Sequence, residues 1–256
     1  FFTVLPYWKS FYESNADGSQ KDVRRDVNFV DYAYVWNATT ETQDKSYTAS
    51  SIAKSLYRYP GKWRREWMAL GFVDPNNTGV NYCPLRYADV VLMAAEAYNE
   101  TNNATEAWKL LNDVRQRAEA TPITSANYAS LMKAPKVYNL DFIDDSDDAG
   151  KFRTALYWER GFELCYEGQR KYDFLRWGCL GDALRAAQAY IESWYPDANE
   201  YINASTLQSW DPVSWASSNY VAGHNFVDGK HELYPIPLAE IQSNAALNGQ
   251  NNPGFE

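Results

Sequence analysis

Residues 153–178, RTALYWERGFELCYEGQRKYDFLRWG, constrain this chain more than any other stretch. Glu159, Glu163 and Glu167 recur at i, i+4 and i+8, a spacing that lines carboxylates along one side of a helix. Trp158, Phe162 and Tyr166 repeat that spacing one residue earlier and form an aromatic ridge beside them. Arg170, Asp173 and Arg176 then recur every third residue before Trp177 and Gly178 close the segment. Charges and large apolar groups this interleaved describe either a catalytic site or an ion-paired core between packed helices.

The catalytic reading fails on direction. Side chains at i and i+4 lie about 5–6 Å apart, near the roughly 5–5.5 Å between the carboxyls of a retaining glycosidase. Those carboxyls must flank the scissile bond, however, and neighbours on one helix face the same way. Arg160, Arg170 and Arg176 are close enough in sequence to keep the glutamates ionised, whereas a general acid needs a raised pKa. No GxSxG, Walker, dinucleotide-glycine or HExxH pattern occurs, nor the paired Glu-x-x-His of a di-iron site. The expectation is therefore no enzyme and no cofactor, with buried Glu–Arg pairs locking helices and N-terminal elements in register.

Composition narrows the partners. The net charge is −9 with no sustained basic run, which argues against a nucleic-acid groove. Cys83, Cys165 and Cys179 lack CxxC or zinc spacing and read as small buried hydrophobes, and two histidines exclude a histidine-rich metal site. The DFIDDSDD run (residues 141–148) suits a helix start better than a calcium loop. No apolar run approaches the ~20 residues that span a bilayer. The opening FFTVLPYWKSFY reads like the interior of a longer protein. Aromatics are the anomaly: 10 Trp, 20 Tyr and 11 Phe, more than packing needs, so some are expected to face solvent and stack on a ligand.

In chain order, residues 1–82 read as an aromatic-rich irregular region with short strands. Within it Val30, Tyr32, Tyr34 and Trp36 alternate onto one strand face. Trp63 and Trp67 have helical spacing and are expected in the core. Residues 83–195 read as a helical core. Its first helix carries the stripe Tyr87, Val91, Ala94, Tyr98, and its second, started by Asn103 and Glu106, the stripe Ala107, Leu110, Val114, Ala118. A short connection makes the pair antiparallel, with spacing that fits a divergent tetratricopeptide unit. Another helix is predicted over 182–194. Residues 196–256 read as a long loop excursion and a tail with a short helix at 238–244.

Three blocks carry a resemblance. RYADVVLMAAEAYNE with AWKLLNDVRQRA (residues 86–118), ERGFELCYEGQRKYDFLRWG (159–178) and residues 233–255, with their PIP-x-x-EI and NNPGF, resemble the SusD/RagB family of nutrient-binding outer-membrane lipoproteins. Ordered blocks of this length cover about the last two-thirds of the chain. The resemblance implies a mainly α fold, with tetratricopeptide-like helical hairpins, long irregular loops and a few short strands. It also implies a single unit over residues 1–256 that forms the C-terminal part of a longer member, lipid-anchored at the cell surface through a segment absent here. Such a protein binds oligosaccharide or polysaccharide without catalysis and hands it to a TonB-dependent, SusC-like transporter. A peptide- or other nutrient-binding member, or a purely structural scaffold, are the alternatives. The family's ligand residues lie in variable loops, so candidates come from aromatic density alone: Trp8, Tyr12, Tyr34, Trp36, Trp210 and Trp215.

Overall fold

A computed structural model describes residues 11–30, 32–47, 59–64, 67, 81–131, 145–186 and 225–255. The candidates Trp8, Trp210 and Trp215 lie outside the described residues, as do residues 187–194 of the helix predicted after Gly178.

The fold is mainly α, organised around one helical hairpin and a central helix. The hairpin consists of α2 (Tyr87–Glu100) and α3 (Ala104–Arg117), following a single-turn α1 (Arg24–Asn28). Only Thr101–Asn103 separate α2 from α3, so they return antiparallel. Asn103 caps α3 as its sequence predicts, its side-chain oxygen accepting from the Glu106 amide. The buried row of α3 holds Ala107, Leu111 and Val114, and Ala107 lets the partner helix approach closely.

The stripe expected on α2 is displaced by one residue. Tyr87 and Tyr98 are exposed, and the buried row is Ala88, Leu92, Ala95 and Asn99. Two apolar rows run side by side on this helix, and hydrophobicity alone cannot choose between them. Polar residues decide instead. Asp89 reaches Arg160 at 2.8 Å, and the Asn99 amide donates to the Ala149 carbonyl at 3.3 Å, so both turn inward.

After the short α4 (Tyr128–Leu131), α5 (Asp148–Glu163) runs against both hairpin helices. Asp147 caps it, accepting from the Gly150 amide at 2.6 Å, which matches the capping role read for the acidic run. Residues 154–163 are buried without a break, so α5 is the centre of the molecule, covered on all sides. Phe152, Leu156, Trp158 and Phe162 meet Leu92 and Leu111 from the hairpin and Phe11, Tyr12 and Phe29 from the N-terminal region.

The ladder's helix stops early. It ends at Glu163, and α6 (Arg170–Arg176) starts only after a turn in which Tyr166 and Gly168 take φ of 63° and 81°. Glu167 therefore lies in the turn rather than on the helix. Gly178, at φ 68°, terminates α6, and residues 180–186 are helical again.

Among the described residues the strands form two two-stranded antiparallel sheets. Strand β1 (Phe29–Val30) pairs with β4 (Tyr59–Pro60), and β2 (Tyr32–Asn37) with β3 (Thr42–Tyr47), in a register that sets Tyr34 opposite Lys45 and Trp36 opposite Gln43. In the tail, α7 (Leu238–Ser243) follows Pro237 close to its predicted span. Asn251 binds Ile236 through both backbone groups and Asn252 donates to the Tyr234 carbonyl at 2.7 Å, so the asparagines of NNPGF fold the end of the chain back.

Candidate functional site

The three glutamates converge as the sequence predicts, but their partners come from elsewhere. Glu159 is bound on one oxygen by Arg24 at 2.5 Å and on the other by Arg115 at 2.7 Å. Glu163 accepts from Arg24 at 3.1 Å, Arg86 at 2.6 Å and Arg117. Glu167 is held by Arg86 at 2.6 Å and by Lys62. Asp22 orients Arg24 through both carboxylate oxygens, and Glu13 binds Arg115 from the other side. Arg170 and Arg176, the expected counter-ions, point away. Arg170 donates to the Tyr157 carbonyl at 2.6 Å and stacks on the Tyr157 ring, and Arg176 clasps Glu96. Arg160 joins a second buried set with Asp89 and Asp173.

This arrangement removes the ladder from chemistry. Burial opposes ionisation of Glu163, but Arg24, Arg117 and Arg86 override it and hold the carboxyl down at about 2. A general acid needs the opposite shift. Burial pushes the Cys165 thiol up to about 12 and Cys179 up to about 11, far from a thiolate nucleophile. No cluster of three or more His, Cys, Asp or Glu fit to hold a metal occurs among the described residues. No described helix is long and apolar enough to cross a membrane.

The carbonyls at the end of α5 are capped just as densely. Tyr12 donates to Phe162 O at 3.0 Å and Asn28 to the same oxygen at 3.1 Å. Lys62 and Arg86 both donate to Glu163 O, at 2.7 and 2.6 Å, and Lys62 reaches Cys165 O at 3.2 Å. The Trp63 indole N–H then donates to Tyr166 O, and the Tyr82 hydroxyl to Glu167 O, each at 3.3 Å. Side chains from residues 12–86 thus satisfy two of the orphan carbonyls at the C-terminus of α5, Phe162 O and Glu163 O, and three more in the turn that follows.

The aromatic candidates fall in different places. Tyr12 is wholly buried, its ring 4.6 Å from that of Phe162, so it belongs to the core and shows no face to a ligand. Tyr34 and Trp36 both lie on β2, and Tyr34 packs edge-on against the buried Tyr32 at 5.8 Å. Trp63 and Trp67 correct the expectation of core packing, being 37% and 58% exposed. Trp63 sits in a turn and not on a helix. Trp63 is fastened by its edge to the turn after α5, and Trp67 lies 5.3 Å from the Arg64 guanidinium. Sequence inspection also passed over Asp22 and Arg24 at the centre of the network, because two charges in a charged run carry no periodic signal.

The SusD family model matches residues 6–255. Among curated proteins the chain is 31% identical to SusD-like protein P25 of Formosa agariphila over 67% of its length, and 30% identical to SusD-like protein P2 of that organism over 93%. Its structure resembles the crystal structure of a SusD homolog from Bacteroides thetaiotaomicron, with a TM-score of 0.64, 26% identity and 92% of this chain covered. The matched parts make up 24%, 38% and 41% of those three chains, so this chain spans well under half the length of the relatives it matches.

Proposed function

Because the chain belongs to the SusD family, we propose that it is part of a non-catalytic, glycan-binding subunit of a cell-surface nutrient-uptake system. The single observation that carries this reading is the family match over residues 6–255. The full protein is anchored by lipid to the outer membrane and delivers oligosaccharide to a SusC-like TonB-dependent transporter. Residues 1–256 act as one unit in it, built on the helical core. The ion-paired ladder supports the absence of catalysis, since each of its carboxylates is spent on holding elements together. Of the aromatic candidates, Tyr34 and Trp36 form a strand-borne platform, and Trp8, Trp210 and Trp215 supply further rings. Sugars present C–H faces to such rings.

Calorimetry of the full-length protein against polysaccharide and peptide panels tests the reading. Saturable binding of at least one glycan, with no shortening of that glycan on prolonged incubation, is the expected result. Binding of peptides alone would move the assignment to another nutrient class, and glycan turnover would replace it with an enzyme. Recovery of a TonB-dependent barrel with the tagged protein from outer membranes checks the partner.

A further inference from the structure

We propose that Asn248–Gly249 is a self-modifying step, at which Asn248 loses ammonia and is converted to isoaspartate, and that this change releases the end of the chain from residues 234–236. The inference stands apart from the glycan reading and needs no ligand.

The sequence singles out the pair. Asn248 is followed by glycine, as no other asparagine of the chain is. A following residue without Cβ leaves its backbone nitrogen open to approach the asparagine side chain. The chain has two further Asx–Gly steps, and both of their aspartates are tied. Asp17 accepts from the Ser19 amide at 2.9 Å and Asp228 from Arg185 at 3.1 Å. Neither the Asn248 side chain nor the Gly249 amide has a hydrogen-bond partner among the described residues, and both residues are exposed.

The step balances with water alone. The Gly249 nitrogen, having given its proton to solvent, attacks the Asn248 side-chain carbonyl carbon. A C–N bond forms there, the Cγ–Nδ2 bond breaks and ammonia leaves. Water then opens the five-membered imide. Opening at one carbonyl gives aspartate. Opening at the other gives isoaspartate, whose main chain runs through Cβ and is one carbon longer.

The turn gates the reaction. Asn248 takes φ 49° and ψ 36°, and Gly249 φ 75°, as Asn-Gly turns do. At that ψ the Gly249 nitrogen points away from Asn248 Cβ, so the ring closes only when the turn opens. One 2.8 Å hydrogen bond, from the Gln250 amide to Leu247 O, spans it. Neither α7 nor the 3-10 turn Ala245–Leu247 buries a residue, so little opposes local opening. The added carbon enters just before Asn251, whose side chain accepts from the Ile236 amide at 2.7 Å. The fold-back of the tail then loses its register.

The test is incubation of the full-length protein in mildly alkaline buffer at physiological temperature. Isoaspartate is located by peptide mass mapping and methyltransferase labelling, and Ile236 amide exchange is followed in parallel. The expected result is isoaspartate at position 248 before any other asparagine is lost, with a rise in Ile236 exchange that tracks it. Asn248→Gly keeps the positive φ without a side-chain amide and should abolish both changes. Asn248 left intact in the folded protein while the urea-unfolded chain converts would mean that the turn stays closed, and overturns the site. Loss of another asparagine first overturns it as well. Conversion without a change in Ile236 exchange overturns the release of the tail.

Discussion

Glu163 shows at the scale of one residue how the core is held. It is 3% exposed and touches guanidinium groups from three different elements of the chain. Replacing it with Gln leaves Arg24, Arg86 and Arg117 short of a negative partner. Breaking a buried pair in this way typically costs about 3–5 kcal/mol, so urea unfolding at neutral pH is expected to show a loss of that order. The acid limb follows from the lowered pKa. Between the ordinary carboxylate value and about 2 the unfolded chain binds a proton that the folded chain does not. Stability from this residue is therefore complete above the ordinary value and drains away as pH falls through that window. The drop from 4.5 to about 2 corresponds to about 3 kcal/mol. Denaturant titrations from pH 6 to 2 should show that slope in the wild type and a shallower one in Glu163→Gln. The ladder was legible from spacing alone, since identical residues every four positions are a local pattern. Its counter-ions were not, because pairing across 135 residues, as between Arg24 and Glu159, leaves no local trace.

Elements show where periodicity suffices and where it does not. The caps of α3 and α5 follow from single side chains, Asn103 and Asp147, and both were readable. The inward face of α2 was not, because its deciding residues are polar and the pattern counts them as outside. The break after Glu163 was equally hidden, since the glutamate spacing continues through a turn that Tyr166 enters with positive φ. Strand pairing depends on another close approach. Gly61 donates its amide to Asn28 O at 2.8 Å beside the β1–β4 pair. A Cβ at this position would collide with the Val27 carbonyl and lie 2.8 Å from Val30 Cγ1. Gly61→Ala should accordingly destabilise the protein by about 1–3 kcal/mol and raise amide exchange at residues 28–30 and at Tyr59. Wild-type exchange there would refute the close-approach argument.

For the whole molecule, the N-terminal third is not an appendage to the helical core. Tyr12, Arg24, Asn28 and Phe29 are buried against α5 or its end, and Glu159 takes one of its two cations from α1. A fragment of residues 83–256 would expose Glu159 and Glu163 with part of their counter-charge missing. It is expected to show no cooperative thermal transition, whereas residues 1–256 melt in one. A cooperative melt of the fragment by circular dichroism would mean that the core stands alone. The fold class and the family were legible because long local motifs carry them. The place of Trp63 was not, since its indole is held by a carbonyl more than a hundred residues away.

The order of the charges along the chain has a consequence for synthesis. Arg24, Lys62, Arg86, Arg115 and Arg117 all precede Glu159, Glu163 and Glu167. At about 5–20 residues per second, Arg24 leaves the ribosome on the order of ten seconds before the carboxylate it will bind. Until then, of the carboxylates that bind these cations, the nascent chain holds only Glu13 and Asp22. The network can therefore close only after its last glutamate has been translated.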